Sequence, residues 1–510
     1  MSKASPGFCH NKIRALEEGD RLKPVVRGAC YTHARVFVGL LPLPHRPTVR
    51  LTTDSLFIAK EQCAVYLFPM IRFAFAFVFF MSSLTIISAQ SQSPKSLAET
   101  WNREKISRIS PSNVRHKDLK LYLDELKGLG LRIEEVGRSY ADREIYQIEW
   151  GTGPKRIFMW SQMHGDEPTA TSALVDMFAF LQRNKELPWV KKLSESMTIR
   201  GVPMLNPDGT EFFQRRNLQG IDINRDAVGL KTPEGRLLKK LRDEWNPEIG
   251  FNLHNQGQLT TAGDVPRQAA ISLLAVLGDP KGVSTPGFER NKRLISAMTL
   301  AVNEFIPGYV GRYDDTYNDL AFGDKFSAWG TPVILVEAGG LHGQDEFYLV
   351  KLNFVMYLTA LEVIADGSHS KYDPEIYLSL PVNASGRLMN FIFRNANLVG
   401  TNSSSVADIG INFERRRAEF TAPTIIREVG LLSKRDGLVE FDASDFNVVH
   451  RFGRIRPGDS GELLFYKKNR RIDWSQPNLE YTEAPDAIFS LGGWFVGEEL
   501  MKTKDITPKR

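Results

Sequence analysis

Two histidines and one glutamate raise the first question of chemistry. His164 and Glu167 stand three residues apart in the run His164-Gly165-Asp166-Glu167, and His254 follows at a distance. Hydrolytic zinc sites take nitrogen and carboxylate ligands, usually two close in sequence and one from elsewhere, and keep a position open for water. Alone, an H-x-x-E pair is common by chance, so His164 reads as either a ligand or an ordinary polar histidine. His254 sharpens the reading. Beyond residue 90 the histidines are His116, His164, His254, His342, His369 and His450, and both His164 and His254 end apolar segments.

Glu337 closes the apolar run Val333 to Val336. A carboxylate at the end of such a run is costly to desolvate unless it reaches solvent or has a partner. In a hydrolytic site it would take a proton from an activated water and pass it to a leaving amine. The segment Asn206 to Asp226 is dense in arginine and glycine. It reads either as a solvated surface loop or as a clamp, since the planar guanidinium forks onto carboxylates and stabilises oxyanions. Asp222 in that segment could hold a ligand histidine by its other ring nitrogen.

These residues must be positioned by regular elements. His116 to Leu129 has helical spacing of apolar residues, and Ile145–Trp150 and Arg156–Trp160 read as strands around a Gly-Thr-Gly-Pro turn. Further strands are expected at 197–205, 249–254 and 332–337, and helices at 169–183, 268–277, 294–306 and 351–365. The alternation argues an α/β domain, a sheet covered on both faces with its site at the strand ends. Past residue 367 short apolar runs separated by Gly, Asn and Ser argue a smaller β-rich domain, read as a sandwich.

The formal charge of +5 is unevenly placed. Residues 1–72 carry eleven Lys and Arg against five Asp and Glu, which leaves residues 90–510 near −1. A nucleic-acid partner is therefore disfavoured. Cys9, Cys30 and Cys63 are the only cysteines, so the body forms no disulfide, thiolate metal site or cysteine nucleophile. Met70-Ile71-Arg72, the apolar run Phe73 to Ile87 and the small residues Ser88-Ala89 read as a secretory signal peptide beginning at Met70. The expectation is a secreted or periplasmic protein with no stable membrane span in its mature form. The organisation expected is residues 1–69 as a mis-assigned upstream extension, 70–89 as signal, 90–114 as a loose lead-in, 115–367 as the α/β domain and 368–510 as the β-rich domain. Nothing in the sequence specifies an oligomeric state.

Over roughly residues 115–366 the chain resembles the zinc carboxypeptidase family typified by carboxypeptidase A. The resemblance rests on His164-Gly-Asp-Glu167, Asn206-Pro-Asp-Gly209, the series Arg215-Arg216-Asn217, Gly220, Asp222, Asn224-Arg225, then Asn252-Leu253-His254 and Val336-Glu337-Ala338-Gly339. It implies a mixed, mostly parallel sheet of about eight strands between helices. It also implies one Zn²⁺ held by His164, Glu167 and His254, with Glu337 as general base and acid. Arg215 would stabilise the oxyanion, and Asn224 with Arg225 would grip a substrate's free C-terminal carboxylate. The family's mobile tyrosine would be Tyr317, with Tyr313 as the alternative. The implied reaction is hydrolysis of C-terminal peptide bonds. The rivals are a same-fold amidase or deacylase acting on cell-wall peptides or N-acyl amino acids, and a non-catalytic zinc-containing binding module.

Three features depart from the family pattern. Asp226 stands where many members have asparagine, and could weaken the hold of Arg225 on a carboxylate or favour a substrate with a basic group. The interval from Glu167 to His254 is short. The specificity residues expected between Tyr317 and Glu337 include Asp324, Lys325 and Phe326, of mixed character. The trailing β-rich region resembles accessory domains carried by some members.

Overall fold

The computed structural model describes residues 92–400, 403–476 and 479–505. Residues 1–69 and 70–89, read as an upstream extension and a signal peptide, lie outside the described residues. Several helices start where sequence chemistry sets them. Ser93, Thr232 and Thr285 each cap a helix with a side-chain oxygen, and each is followed by proline at the first helical position. These helices are Pro94–Glu104, Pro233–Trp245 and Pro286–Asn303.

The central sheet is eight-stranded, in the order β1-β2-β4-β3-β5-β9-β7-β8. Its strands are β1 (Arg132–Arg138), β2 (Glu144–Gly151), β3 (Lys155–Ser161), β4 (Met197–Val202), β5 (Ile249–Asn255), β7 (Ile271–Val276), β8 (Val310–Arg312) and β9 (Val333–Ala338). A short β6 (Thr261–Ala262) lies apart from it and pairs with β10 (Asn383–Ala384). The pairs β3/β4, β3/β5, β5/β9 and β7/β8 are parallel; β1/β2, β2/β4 and β7/β9 are antiparallel. This is the mixed, mostly parallel sheet expected.

Alternate residues on the middle strands feed two separate cores, because successive strand side chains point to opposite faces. Ile157, Met159, Phe251, Leu253, Ile334 and Val336 pack beneath helices Thr169–Arg183, Pro286–Asn303 and Glu346–Asp366. Phe158, Trp160, Val333 and Leu335 join Leu238, Phe322 and Phe326 on the other face. Helix Glu346–Asp366 is long and apolar enough to pass for a membrane span, yet most of its apolar window is buried inside the fold.

Three expectations are corrected. Residues 268–277, read as helix, contain the strand Ile271–Val276, buried on both faces. A short, fully apolar run has no periodicity to tell the two apart. The segment read as a loose lead-in carries the helix Pro94–Glu104, whose Leu97, Ala98 and Trp101 are buried. Asp176 ties it down, accepting hydrogen bonds from Trp101 Nε1 at 2.8 Å and from the backbone of Ile106 and Ser107. Finally, β2 and β3 follow one another in sequence but are not paired, since β4 inserts between them.

The C-terminal region forms its own nine-stranded sheet. Strands β11 (Leu388–Val399), β12 (Ser404–Phe413), β13 (Thr424–Gly430), β14 (Asp436–Asp442), β15 (Phe446–His450), β16 (Leu463–Lys467), β17 (Ala487–Ser490), β18 (Gly493–Val496) and β19 (Lys502–Asp505) compose it. The first half of β11 pairs with β14 and its second half with β15, so one hydrogen-bonded sheet runs through what was read as a sandwich. Phe393, Phe441, Phe465 and Phe489 pack together as its core.

Candidate active site

β3 delivers the first ligand loop. Just past its end Gln162 adopts a left-handed conformation (φ 52°), and its amide donates to Gly165 O at 3.0 Å. Gly165 is required there: a β-carbon would lie 2.0 Å from the backbone of Gly209. The Asn206-Pro-Asp-Gly209 turn is thus a brace. Asn206 caps helix Pro207–Phe212 by accepting from Gly209 N, and its amide donates to Met163 O at 3.2 Å. Asp208, fully buried, accepts from Ser139 Oγ and Ala141 N at 2.8 Å.

His164, Glu167 and His254 converge, all buried, with one potential ligand atom of each within 4.8 Å of the others. Glu167 Oε1 lies 2.8 Å from His164 Nδ1, and Glu167 Oε2 lies 2.6 Å from His254 Nδ1. The other nitrogen of His164, Nε2, stands 3.1 Å from Asp222 Oδ1. A carboxylate can only accept, so Asp222 holds the proton on Nε2 and leaves Nδ1 facing Glu167. At 2.8 Å from Glu167 Oε1, Nδ1 either donates a proton, when the ring is imidazolium, or shares a cation with the carboxylate, when the ring is neutral. Two imidazole nitrogens and one carboxylate are a zinc-type donor set, and the residues fit such an ion.

The electrostatics agree. Burial disfavours charge on His164, but Glu167 and the bond to Asp222 outweigh it and push its pKa up to about 9. Burial likewise opposes ionisation of Glu167, yet the two histidines hold its carboxyl well below the usual range. His254 is lowered, chiefly by burial. Without a cation the cluster therefore draws in a proton, which is the behaviour of a site built around positive charge.

Glu337 stands directly opposite His254 in the register of β5 and β9. Burial, then the negative charge of Glu167, pushes its carboxyl well above the ordinary value. Its Oε2 is buried without a protein partner. Arg215 approaches from the other side. It donates to Asp222 Oδ2 at 2.9 Å, and its Nη1 lies 3.1 Å from His164 Nδ1 and 3.4 Å from Glu167 Oε1. Asp222 also caps the turn Ile223–Arg225, accepting from Asn224 N at 2.9 Å. One carboxylate thus aligns a histidine, an arginine and the turn bearing Asn224 and Arg225. Asn224 Oδ1 accepts from Phe322 N at 2.9 Å, which leaves its amide N–H groups to donate. Arg225 is exposed, donating to Asn224 O at 2.7 Å.

All these side chains except Asp222 line one cleft of about 1070 Å³. Tyr313 and Tyr317 line it too. Tyr313 packs against the core beneath Glu337, whose charge, with burial, pushes the phenol up to about 12. Tyr317 rides on the loop beyond it, half-buried. Of the three specificity candidates, only Asp324 lines the cleft; Phe326 is fully buried in the core. Asp226 does not line the cleft. It is buried and accepts from Lys231 N, Thr232 N and Thr232 Oγ1, bracing the entry to helix Pro233–Trp245. Its charge is absorbed by those donors rather than presented beside Arg225.

Sequence reading missed two cleft residues. Asn252 precedes His254 by two on the same face of β5 and has a buried, unpartnered Oδ1. Strand period alone could have found it. Arg415 comes from the C-terminal sheet region, and its signal was the run Arg415-Arg416-Arg417.

A mixed, mostly parallel α/β sheet with a two-histidine, one-carboxylate cluster at its strand ends defines the class. Residues 122–318 match the family model described as zinc carboxypeptidase. The chain is 33% identical over 99 residues to a probable carboxypeptidase 2 of Arthroderma benhamiae, covering 19% of this chain and 18% of that protein. It is 29% identical over 162 residues to carboxypeptidase D of Anas platyrhynchos, covering 26% of this chain and 11% of the other. The matches thus span about a fifth or less of these relatives' own lengths. Among solved structures, a metallo-carboxypeptidase from Burkholderia cenocepacia superposes with a TM-score of 0.42 at 17% identity, covering 49% of this chain and 69% of that one. A metallo-carboxypeptidase from Pseudomonas aeruginosa gives 0.40 at 16%, covering 49% and 68%.

Proposed function

We propose that the protein is a zinc-dependent metallocarboxypeptidase that hydrolyses C-terminal peptide bonds. The observation that carries this reading is the shared cleft: a buried carboxyl whose Oε2 has no protein partner, Glu337, faces a ligand-type cluster, with Arg215 and Arg225 beside it. His164, Glu167 and His254 would hold the zinc, which supplies Lewis-acid activation of water and of the scissile carbonyl.

The remaining work belongs to side chains. Glu337 takes a proton from the attacking water and returns it to the departing amine. Arg215, fixed by Asp222, donates to the oxyanion as charge develops on it. Asn224 and Arg225 hold the terminal carboxylate, which decides which bond is presented. Tyr317, which lines the cleft, would close on bound substrate. Asp324 offers a cationic C-terminal side chain a partner. An amidase or deacylase would also use the cluster, but Arg225 favours a substrate with a free carboxylate. Export through the segment starting at Met70 is part of the same proposal.

Mixed synthetic peptides incubated with purified protein, with and without chelator, and read by mass spectrometry test it. Loss of single C-terminal residues, Lys and Arg ahead of Leu and Phe, abolished by chelator, is expected. Intact C-termini in all conditions would refute the hydrolytic reading, and preference for Leu or Phe would refute the role of Asp324.

A further inference from the structure

The loop between β12 and β13, residues 414–423, reaches from the C-terminal sheet onto the α/β region. It is anchored at several points. Arg417 is buried and donates to Ser112 O at 2.8 Å, to Glu211 O at 3.2 Å and to Thr210 O. Ala418 N donates to Ser112 Oγ and Glu419 N to Asn113 Oδ1, both at 2.9 Å, while Arg115 pairs with Glu419. Phe213, two residues before Arg215, lies beneath both Arg417 and Arg415, 5.3 and 5.7 Å from their guanidinium carbons.

This hook carries Arg415 into the cleft. Its Nη1 donates to Asp166 Oδ2 at 3.2 Å and its Nη2 to Asp166 O. Asp166 sits inside the ligand loop, between His164 and Glu167. A guanidinium has five N–H donors. Two contacts to Asp166 leave donors over, and the side chain is 39% exposed. Its charge reaches Glu337. Arg225, another exposed cation of the cleft, contacts a different wall, the turn at Asn224 facing Asp324.

A substrate whose terminal carboxylate rests on Arg225, and whose scissile carbonyl lies by Arg215 and Glu337, continues past the ligand loop. That is where Arg415 stands. We propose that Arg415 is a substrate-binding residue supplied by the C-terminal region, donating to carbonyl groups of the peptide on the N-terminal side of the scissile bond. The assignment rests on the carboxypeptidase reading and extends it: the protein would favour peptides of three or more residues, and the C-terminal region would be part of its active cleft.

The test is equilibrium binding, by titration calorimetry, of a pentapeptide and an N-blocked dipeptide sharing the same last two residues. The full chain is used, zinc-loaded and carrying Glu337→Gln, with and without Arg415→Ala, Arg415→Lys or the surface control Arg416→Gln. Arg415→Ala is expected to weaken the pentapeptide about tenfold, the size of one or two charge-assisted hydrogen bonds, and to leave the dipeptide unchanged. Arg415→Lys should restore part of the loss, and Arg416→Gln should match the parent. Equal weakening of both ligands, reduced zinc content in Arg415→Ala, no change at all, or binding of neither peptide would each overturn the proposal. Length-dependent binding by a wild-type protein that cleaves nothing would leave Arg415 in place and refute hydrolysis alone.

Discussion

His254 and Glu337 occupy facing positions on two adjacent parallel strands, so a ladder of backbone hydrogen bonds sets the spacing between a ligand-type histidine and the candidate base. Both point to the face opposite Leu253 and Val336, which are buried beneath the helices. Rigid elements hold such constellations more closely than loops do. His254→Ala should therefore drop bound zinc from about one per chain to near zero while the protein remains folded. Elemental analysis after dialysis checks it, and undiminished zinc would place the metal elsewhere.

Asp222 is expected to tune metal affinity rather than to bind the metal. It holds the His164 tautomer and the Arg215 fork together. Asp222→Asn should weaken zinc binding roughly 10–100-fold, measured by competition with a chromogenic chelator. Unaltered affinity would mean that the His164 ring is oriented by packing alone.

Arg215 touches the cluster but is 43% exposed and outside the core. Arg215→Ala should lower kcat by roughly 10²–10³ with bound zinc unchanged, as for loss of an oxyanion donor. An effect confined to KM would assign it to ground-state binding instead.

How much of this was legible in sequence follows from what each residue does. His254 and Glu337 lie at the ends of apolar strands, and His164 and Glu167 in the loop just past one, and that pattern is local. The Arg215–Arg225 segment was legible as donor chemistry, but the part played by Asp226 was not. Its identity beside Arg225 suggested a substrate contact, whereas its side chain turns inward to cap a helix entry. Ile271–Val276 was misread because a buried strand has no alternation to show. Arg415 lies 251 positions past His164, and only tertiary docking of the 414–423 hook reveals it.

The docking of that hook carries a pH dependence. The hydrogen bond from Arg115, then its charge, holds the Glu419 carboxyl below its ordinary value of 4.5. For a carboxyl depressed in the folded state, the stabilisation is fully present above the ordinary value and is lost as pH falls through the lowered one. Wild type should therefore exceed Glu419→Gln in Tm at neutral pH by a small margin, with the two converging below about pH 4. A gap that widens on acidification would contradict the pairing.

The most direct measurement is on Glu337→Gln, which keeps the shape of the buried side chain and removes its capacity to take a proton. Zinc content and peptide hydrolysis are measured on the same preparation as the wild type. The account predicts full zinc occupancy with hydrolysis lowered by at least about 10²-fold. Wild-type turnover in this variant would contradict it.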